Sequence, residues 1–479
     1  MLKPATRIVL LLLLVTLPLA AGSGDPPAWL VRGPVLGSPA PDGIAVWLQA
    51  GVPVRVRIVA APATGGDTVA TPWTDLTVDG ALMGTIHLQG LEPATHYRYT
   101  VEAEGLEPAG GDGFTFLTPP EPGTPVRLSM AVGSGADDWR VTRPAVWSAI
   151  AAAAPDLMVA LGDTPYADGL VWWEGRSWRK ARAAWKKDPS AAAKQRLDGA
   201  TARFVDKAGR TLPMAYEVLR EAHGFHEMSR RTFWVATWDD HETGINNGDI
   251  TNPVGPLALA TFRRYTPNPS FGLPGVPATF WLLRWGDVEI YLLDDQSFRT
   301  PTSEARKDPE HATILGQAQL DWLVEHLAVS EATFKILACG SPFNDHPRKD
   351  DAWVEYPVER ARLMDAIARH RVDGVVLLSG DIHRTELHRL PWLEERGGYV
   401  LWEFVPSPLY QRGRSCREAV PYRELCIGAT SGEVLQYFGL IQADTTLDDP
   451  ELVLELRDVE NNVFVHKVIH ASELVFPKP

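Results

Sequence analysis

Two hydrophobic rhythms divide this chain. From Trp29 to about Pro120, apolar and polar residues alternate over short stretches such as GIAVWLQA, VRVRIVAAP, TIHLQ and YRYTVEAE, each bounded by Gly, Pro or Asp. Such alternation with frequent turn residues predicts half-buried antiparallel strands arranged as a β-sandwich. The segment PPEPGTP, residues 119–125, reads as a stiff linker, and beyond it the rhythm changes. Continuous apolar runs in VRLSMAVGS, DLMVALGD, RTFWVATW, VEIYLLDD, FKILACGS and GVVLLSG predict strands buried on both faces. Between them lie the helix-period segments RPAVWSAIAAA, VERARLMDAIARH and GQAQLDWLVEHL, the last with Leu320, Leu323 and Leu327 on one face. WLLRWGDVEIYLLDD predicts a hairpin turning at Gly286 and Asp287, and strands return from Val434 to Leu474. The predicted architecture is an α/β layered domain with mixed sheets over residues 121–479, preceded by an all-β sandwich over residues 24–120.

Composition narrows the function classes. A chain of 479 residues, 45% hydrophobic and 22% charged, suits a soluble globular protein of two domains. Its net charge of -14 argues against a nucleic-acid partner and suits a cleft that concentrates cations. Met1–Ser23 has a basic start at Lys3 and Arg7, an apolar stretch from Ile8 to Leu17 and small residues from Ala20 to Ser23. That order reads as a secretory signal cleaved after Gly22 or Ser23, and it predicts a secreted or periplasmic protein. In such an oxidising compartment Cys416 and Cys426 can close a short loop, while Cys339 reads as a buried thiol.

The chemistry gathers where apolar runs stop. DLMVALGD runs into Asp163, followed by Tyr166 and Asp168 in GDTPYADG. RTFWVATWDDHETGINN runs into Asp239, Asp240, His241 and Glu242, with Asn246 and Asn247 beyond, and VVLLSGDIHRTELH runs into Asp381 and His383. Open α/β sheets bind ligands at the carboxyl ends of their strands, so these groups are expected on one rim. Crowded carboxylates repel and raise one another's pKa values unless a cation joins them. Mixed oxygen and nitrogen ligands suit iron, zinc, manganese or calcium, and an ion pair can clamp a phosphoryl group and activate water. Singly, a Gly-Asp is usually a turn, Asp239 or Glu242 a cap or solvated acid, and His383, His388 or His346 an ordinary histidine. Three strand ends carrying such sets together favour the metal site.

GDTPYADG, TWDDHETGINN, YLLDDQSFR, ILGQAQLDWL and LLSGDIH, in this order, resemble the alkaline phosphatase D (PhoD-like) family of metallophosphatases. LQGLEPATHYRYTVEAEG followed by FTFLTPP likewise resembles the end of a fibronectin type III module. The resemblance implies hydrolysis of phosphate-ester small molecules by a metal-activated hydroxide at two metal ions. It implies metal ligation by Asp163, as the bridge, and by Tyr166, Asp240, Asp381 and His383, with His241 as transition-state stabiliser or general acid. Asn247 would be a further ligand or the support of one. Two positions depart from the family pattern: Ser134 stands where a cysteine ligand is usual, and Gln296 where an arginine is common. Arg299 remains to hold phosphate in a bidentate manner, a surface arginine being the alternative.

One segment is local to this chain. ADGLVWWEGRSWRKARAAWKK, residues 167–187, sets Trp172, Trp173, Trp178 and Trp185 among basic residues. It fits a substrate lip or membrane contact through lipid head groups, or a helical insertion packed by its tryptophans. A phospholipase-type phosphodiesterase and a catalytically decayed cell-surface binding protein are therefore the alternatives to a phosphoesterase of small molecules. Retention of the acids and histidines at all three strand ends argues against decay.

Overall fold

The computed structural model describes residues 27–347 and 351–478, so the signal-like segment Met1–Ser23 lies outside the described residues. All six apolar runs are strands, at Arg127–Gly133, Leu157–Leu161, Phe233–Thr237, Val288–Leu292, Phe334–Ala338 and Val375–Leu378. Every residue of the last five is buried, as continuous apolar runs require.

Two mixed sheets result. In the six-stranded one, Phe233–Thr237, Leu157–Leu161 and Arg127–Gly133 are parallel neighbours, and three antiparallel strands from Tyr437–Asp444 to Val463–His470 extend it. The seven-stranded sheet centres on Val288–Leu292, Phe334–Ala338, Val375–Leu378 and Leu401–Val405, parallel to one another, with antiparallel strands at its edges. Alternate residues of the first sheet face opposite ways. Val132, Val159 and Val235 join the core shared with Ile290, Ile336 and Leu377, whereas Met158 and Trp234 pack with Trp147, Phe204 and Leu219 of the helical layer. Helices Gln317–Val329 and Pro357–His370 cover the other sheet through Leu323 and Ile367.

The Trp-rich segment forms helix Trp172–Lys187 on a long helix, Ala191–Glu221. Trp178 is buried against Phe204, ring centroids 6.2 Å apart, while Trp172 and Trp173 stay exposed. Among the described residues no helix is long and apolar enough to cross a membrane.

Residues 30–117 form two antiparallel sheets, one of three strands and one built on Val54–Pro62 and His96–Ala103. They are docked on the α/β part. Trp47 is fully buried beside Tyr265 and donates its indole N–H to Arg264 O at 2.8 Å. Tyr99 donates its hydroxyl to Arg230 O at 2.8 Å, and Phe116 meets Phe233 edge-on. The expected linker is part of this contact, since Pro119 and Pro120 are buried and Gly123 N–H donates to Gly286 O at 2.9 Å.

Candidate metal centre

The carboxyl ends of the two sheets meet at one rim. Asp163 follows Leu157–Leu161, Asp239 to Glu242 follow Phe233–Thr237, Asp295 follows Val288–Leu292, and Asp381 and His383 follow Val375–Leu378. Close approach is made possible by absent side chains. A Cβ on Gly162 would lie 2.5 Å from the Asp239 backbone nitrogen, and one on Gly380 would lie 2.4 Å from Ser134 Oγ. The site residues are themselves twisted into place: Asp163, Asn247, Asp381 and His383 have φ of 53°, 51°, 69° and 53°. Left-handed φ is disfavoured for residues with a Cβ, and such strain gathers at functional sites.

Tyr166 links two of the strand ends, its hydroxyl lying 2.9 Å from Asp163 Oδ2 and 2.8 Å from His383 Nε2. His241 Nε2 is 4.0 Å from Asp163 Oδ2, and its Nδ1 is 2.7 Å from Asp168 Oδ1. Ser134 is fully buried, and its Oγ accepts the backbone N–H of Asp381 at 3.1 Å. Asn247 donates its backbone N–H to Asp240 Oδ2 at 2.5 Å, while its side chain bonds with Asn246. The structure thus brings Asp163, Tyr166, Asp240, His241, Asp381, His383, Ser134 and Asn247 to one rim.

Arg299 stands elsewhere. It is 1% exposed, donates to Gly248 O and to Gln296 Oε1, and lines neither lobe of the cleft described below. Gln296 in turn donates to Asp239 Oδ1 at 2.5 Å, so the pair braces an acid of the site from behind.

Two residues acquire roles that sequence reading did not give them. Glu242 is 1% exposed and accepts the backbone N–H groups of Asp163, Thr164 and Asp239 at 3.0, 2.5 and 3.1 Å. It ties two strand ends together from below. Asp239, fully buried, groups with Asp163 and Asp381, so it is a candidate ligand and not a solvated acid. The doublet Asp239–Asp240, directly after the apolar run that ends at Thr237, was the available signal. His388 is a buried core histidine whose Nε2 lies 2.9 Å from Glu386 Oε2, whereas His346 faces the cleft beside Arg384.

The electrostatics show strain that protein groups alone do not relieve. Burial first, and then the charges of Asp240, Asp295, Asp163 and Asp381, hold Asp239 well above the ordinary carboxylate range. Burial also holds Asp240 well up, against the opposing charge of His241. Burial and the charge of Asp163 push Glu242 to about 8 despite its backbone hydrogen bonds. At Asp163 burial is outweighed by the charges of His241 and His383 and by hydrogen bonds from His383 and Tyr166, which bring it down to about 2. Burial disfavours the His241 imidazolium, but Asp163, Asp240 and Asp168 hold its pKa well above the usual value.

The donor set fits cations. Ligand atoms of Asp163, Asp240 and His241 lie within 4.8 Å of one another, and so do those of Asp163, Asp239 and Asp381, so the two groups share Asp163. Asp163 Oδ1, Asp239 Oδ2 and Asp240 Oδ1 are buried with no hydrogen-bond partner among the described residues. Buried carboxylate oxygens are normally satisfied, and a cation is the partner that would satisfy several at once.

A cleft with two lobes opens onto these groups. The larger, about 760 Å³, is bordered by Trp139, Arg140, Tyr166 and Gln411; the smaller, about 360 Å³, by Asp240, His346, Asp381 and Arg384. His241, Asn246, His383 and Arg414 line both, so the lobes meet at the acid cluster.

A family model for the PhoD-like phosphatases matches residues 130–449. Alkaline phosphatase D of Bacillus subtilis (strain 168) is 26% identical over 184 residues, a match covering 31% of this chain and 31% of that protein. A solved structure of PhoD superposes with a TM-score of 0.67 at 18% identity, covering 94% of each chain. The purple acid phosphatase PPD1 from seeds of yellow lupin (Lupinus luteus) superposes with a TM-score of 0.57 at 13% identity, covering 93% of this chain and 74% of its own. The two structural likenesses concern the fold, and the match to the curated relative spans about a third of its length.

Proposed function

The chain belongs to the PhoD-like phosphatase family, and from that premise we propose that it hydrolyses phosphate esters at the rim cluster. The observation that carries this reading is the pair of acid groups sharing Asp163, each with a buried carboxylate oxygen that lacks a partner. Asp163, Asp239 and Asp381 would hold one ion; Asp163 and Asp240, with Tyr166 and His383, would bound a second. Iron, zinc, manganese and calcium all suit these donors. When bound, such ions act as Lewis acids on a phosphoryl oxygen and lower the pKa of water.

The chain's own residues do the rest. His241, its Nδ1 2.7 Å from Asp168 Oδ1 and its pKa held up by the surrounding acids, lines both lobes and in its charged form can donate a proton to the departing ester oxygen. Tyr166 and His383 orient the Asp163 carboxylate, and Arg299 acts through Gln296 on Asp239. A second reading, a phosphodiesterase working at lipid surfaces, is favoured by exposed Trp172 and Trp173 beside Arg176 and Lys180 at the same rim. The signal-like Met1–Ser23, together with a disulfide in the fold, supports a secreted or periplasmic location.

The test is metal analysis of the purified protein beside hydrolysis of a nitrophenyl monoester and diester, soluble and vesicle-bound. We expect bound metal and turnover in the wild type, with both lost in Asp163→Asn. Turnover that survives complete chelation, or a fully active Asp163→Asn, overturns the reading.

A further inference from the structure

The cleft has three arginines on the wall of its larger lobe, and they are not equivalent. Arg140 is paired with Asp137 at 3.0 Å, and Arg412 packs its guanidinium on Gly432. Arg414 is exposed, lines both lobes, and its guanidinium has no hydrogen-bond or ion-pair partner among the described residues. Its backbone is nonetheless fixed. Arg414 N–H donates to the carbonyl of His383 at 2.9 Å, and Arg414 O accepts from Ala429 N–H at 2.9 Å.

The loop around it is stapled. Cys416 and Cys426 form a disulfide two residues beyond Arg414. A Cβ at Gly428 would lie 2.4 Å from Arg414 O and 3.0 Å from Cys416 Sγ, so the disulfide and the Arg414 carbonyl pack on the same glycine. Arg384, buried, holds Ser415 O at 2.6 Å, and Arg423 holds Cys416 O at 3.1 Å. A free guanidinium on a rigid support at the mouth of an acid cluster is suited to one class of ligand: an anion with several acceptor oxygens, drawn in beside bound cations.

We propose that Arg414 grips the non-bridging oxygens of the substrate's phosphoryl group, and that the Cys416–Cys426 disulfide positions it for this. The proposal deepens the phosphoesterase reading and rests on it. It assigns to Arg414 the phosphate contact that the sequence alone suggested for Arg299, which is buried behind the site.

The experiment uses the metal-loaded full chain and two readouts: steady-state kinetics on a soluble monoester, and the rise in melting temperature given by inorganic phosphate. Arg414→Ala should raise KM about tenfold, change kcat less, and shift the phosphate-induced rise to about tenfold higher phosphate, with metal content unchanged. Arg414→Lys should recover part of both, because charge remains but the bidentate fork does not. The Cys416→Ser/Cys426→Ser double variant should shift KM and the phosphate response the same way by a smaller factor. If that variant fails to fold, wild type held in reductant supplies the comparison. Wild-type KM and phosphate response in Arg414→Ala overturn the assignment, and wild-type values without the disulfide overturn its positioning role. A wild type that binds metal yet neither turns over monoester nor responds to phosphate overturns the phosphoesterase reading, and this proposal with it.

Discussion

Glu242 shows how much of this site depends on a residue that touches no ligand. Its carboxylate accepts three backbone N–H groups where two strands end, and those N–H groups belong to or adjoin Asp163 and Asp239. Removing an acceptor leaves buried donors unsatisfied, at a cost of about 1–3 kcal/mol for such a group. Glu242→Ala is therefore expected to lower unfolding stability by about 3 kcal/mol and to weaken metal binding as well, since both acids lose their fixed backbone. Denaturant unfolding and metal titration would check it; a stability loss with unchanged metal affinity would mean that Glu242 serves only the core. Ser134 makes the complementary case. Its Oγ accepts the Asp381 backbone N–H, so it holds a strained residue at φ 69° and is not spare. Ser134→Cys puts a thiolate-forming group at that point, and we expect iron or zinc to bind more tightly, with an absorbance band in the ferric form if Tyr166 joins the same ion. No change in affinity for any metal would show that the side chain serves Asp381 alone.

Elements carry a different lesson. The sandwich and the α/β part look separable along the sequence, because the hydrophobic rhythm changes at the linker and every acid of the site lies after it. In space they share an apolar contact, with Val35 and Trp47 in one cluster with Trp147, Trp234 and Tyr265. Deleting residues 27–118 would uncover these aromatic rings, and a buried aromatic removed from a core costs about 3–5 kcal/mol. We expect a single cooperative transition for the full chain in calorimetry, and poor folding of the α/β part alone; two separated transitions would contradict this. Periodicity could show the strands because each is a fully apolar run, and the strand-end acids because polar groups interrupt such runs abruptly. It could not show helix Ala191–Glu221, whose pattern is diluted by exposed polar residues and by Pro213. Nor could it show the setting of Arg299 or Arg414. Both sit in loops whose course is set by contacts distant in sequence, Gly248 for the first and His383 and Ala429 for the second.

Across the whole molecule, the buried acids make stability depend on pH and on cations together. Without metal, burial holds Asp295 at about 7 and Glu242 at about 8, and Asp239 and Asp240 are also well raised. In the unfolded chain these carboxyls release their protons near pH 4. Between about pH 5 and 8 the folded state therefore binds more protons than the unfolded one, and stability falls as pH rises, by at most about 1.4 kcal/mol per pH unit for one such group and only below its folded pKa. His241 acts in the same direction, because its raised pKa gives stability that is present below about 6.5 and lost as pH climbs through the folded value. Asp163, lowered to about 2, contributes stability that is present above about pH 4 and lost only in strong acid, so it leaves this window unchanged. Chelator-treated protein should thus melt at progressively lower temperature from pH 5 to pH 8. Cations take the place of those protons, so metal-loaded protein should hold its melting temperature or gain across the same range, and the gap between the two should widen with pH. Melting curves of both forms at four pH values decide the matter. A chelated protein that grows more stable toward pH 8 would mean that these carboxylates are satisfied within the protein, and the reason for placing ions among them would be gone.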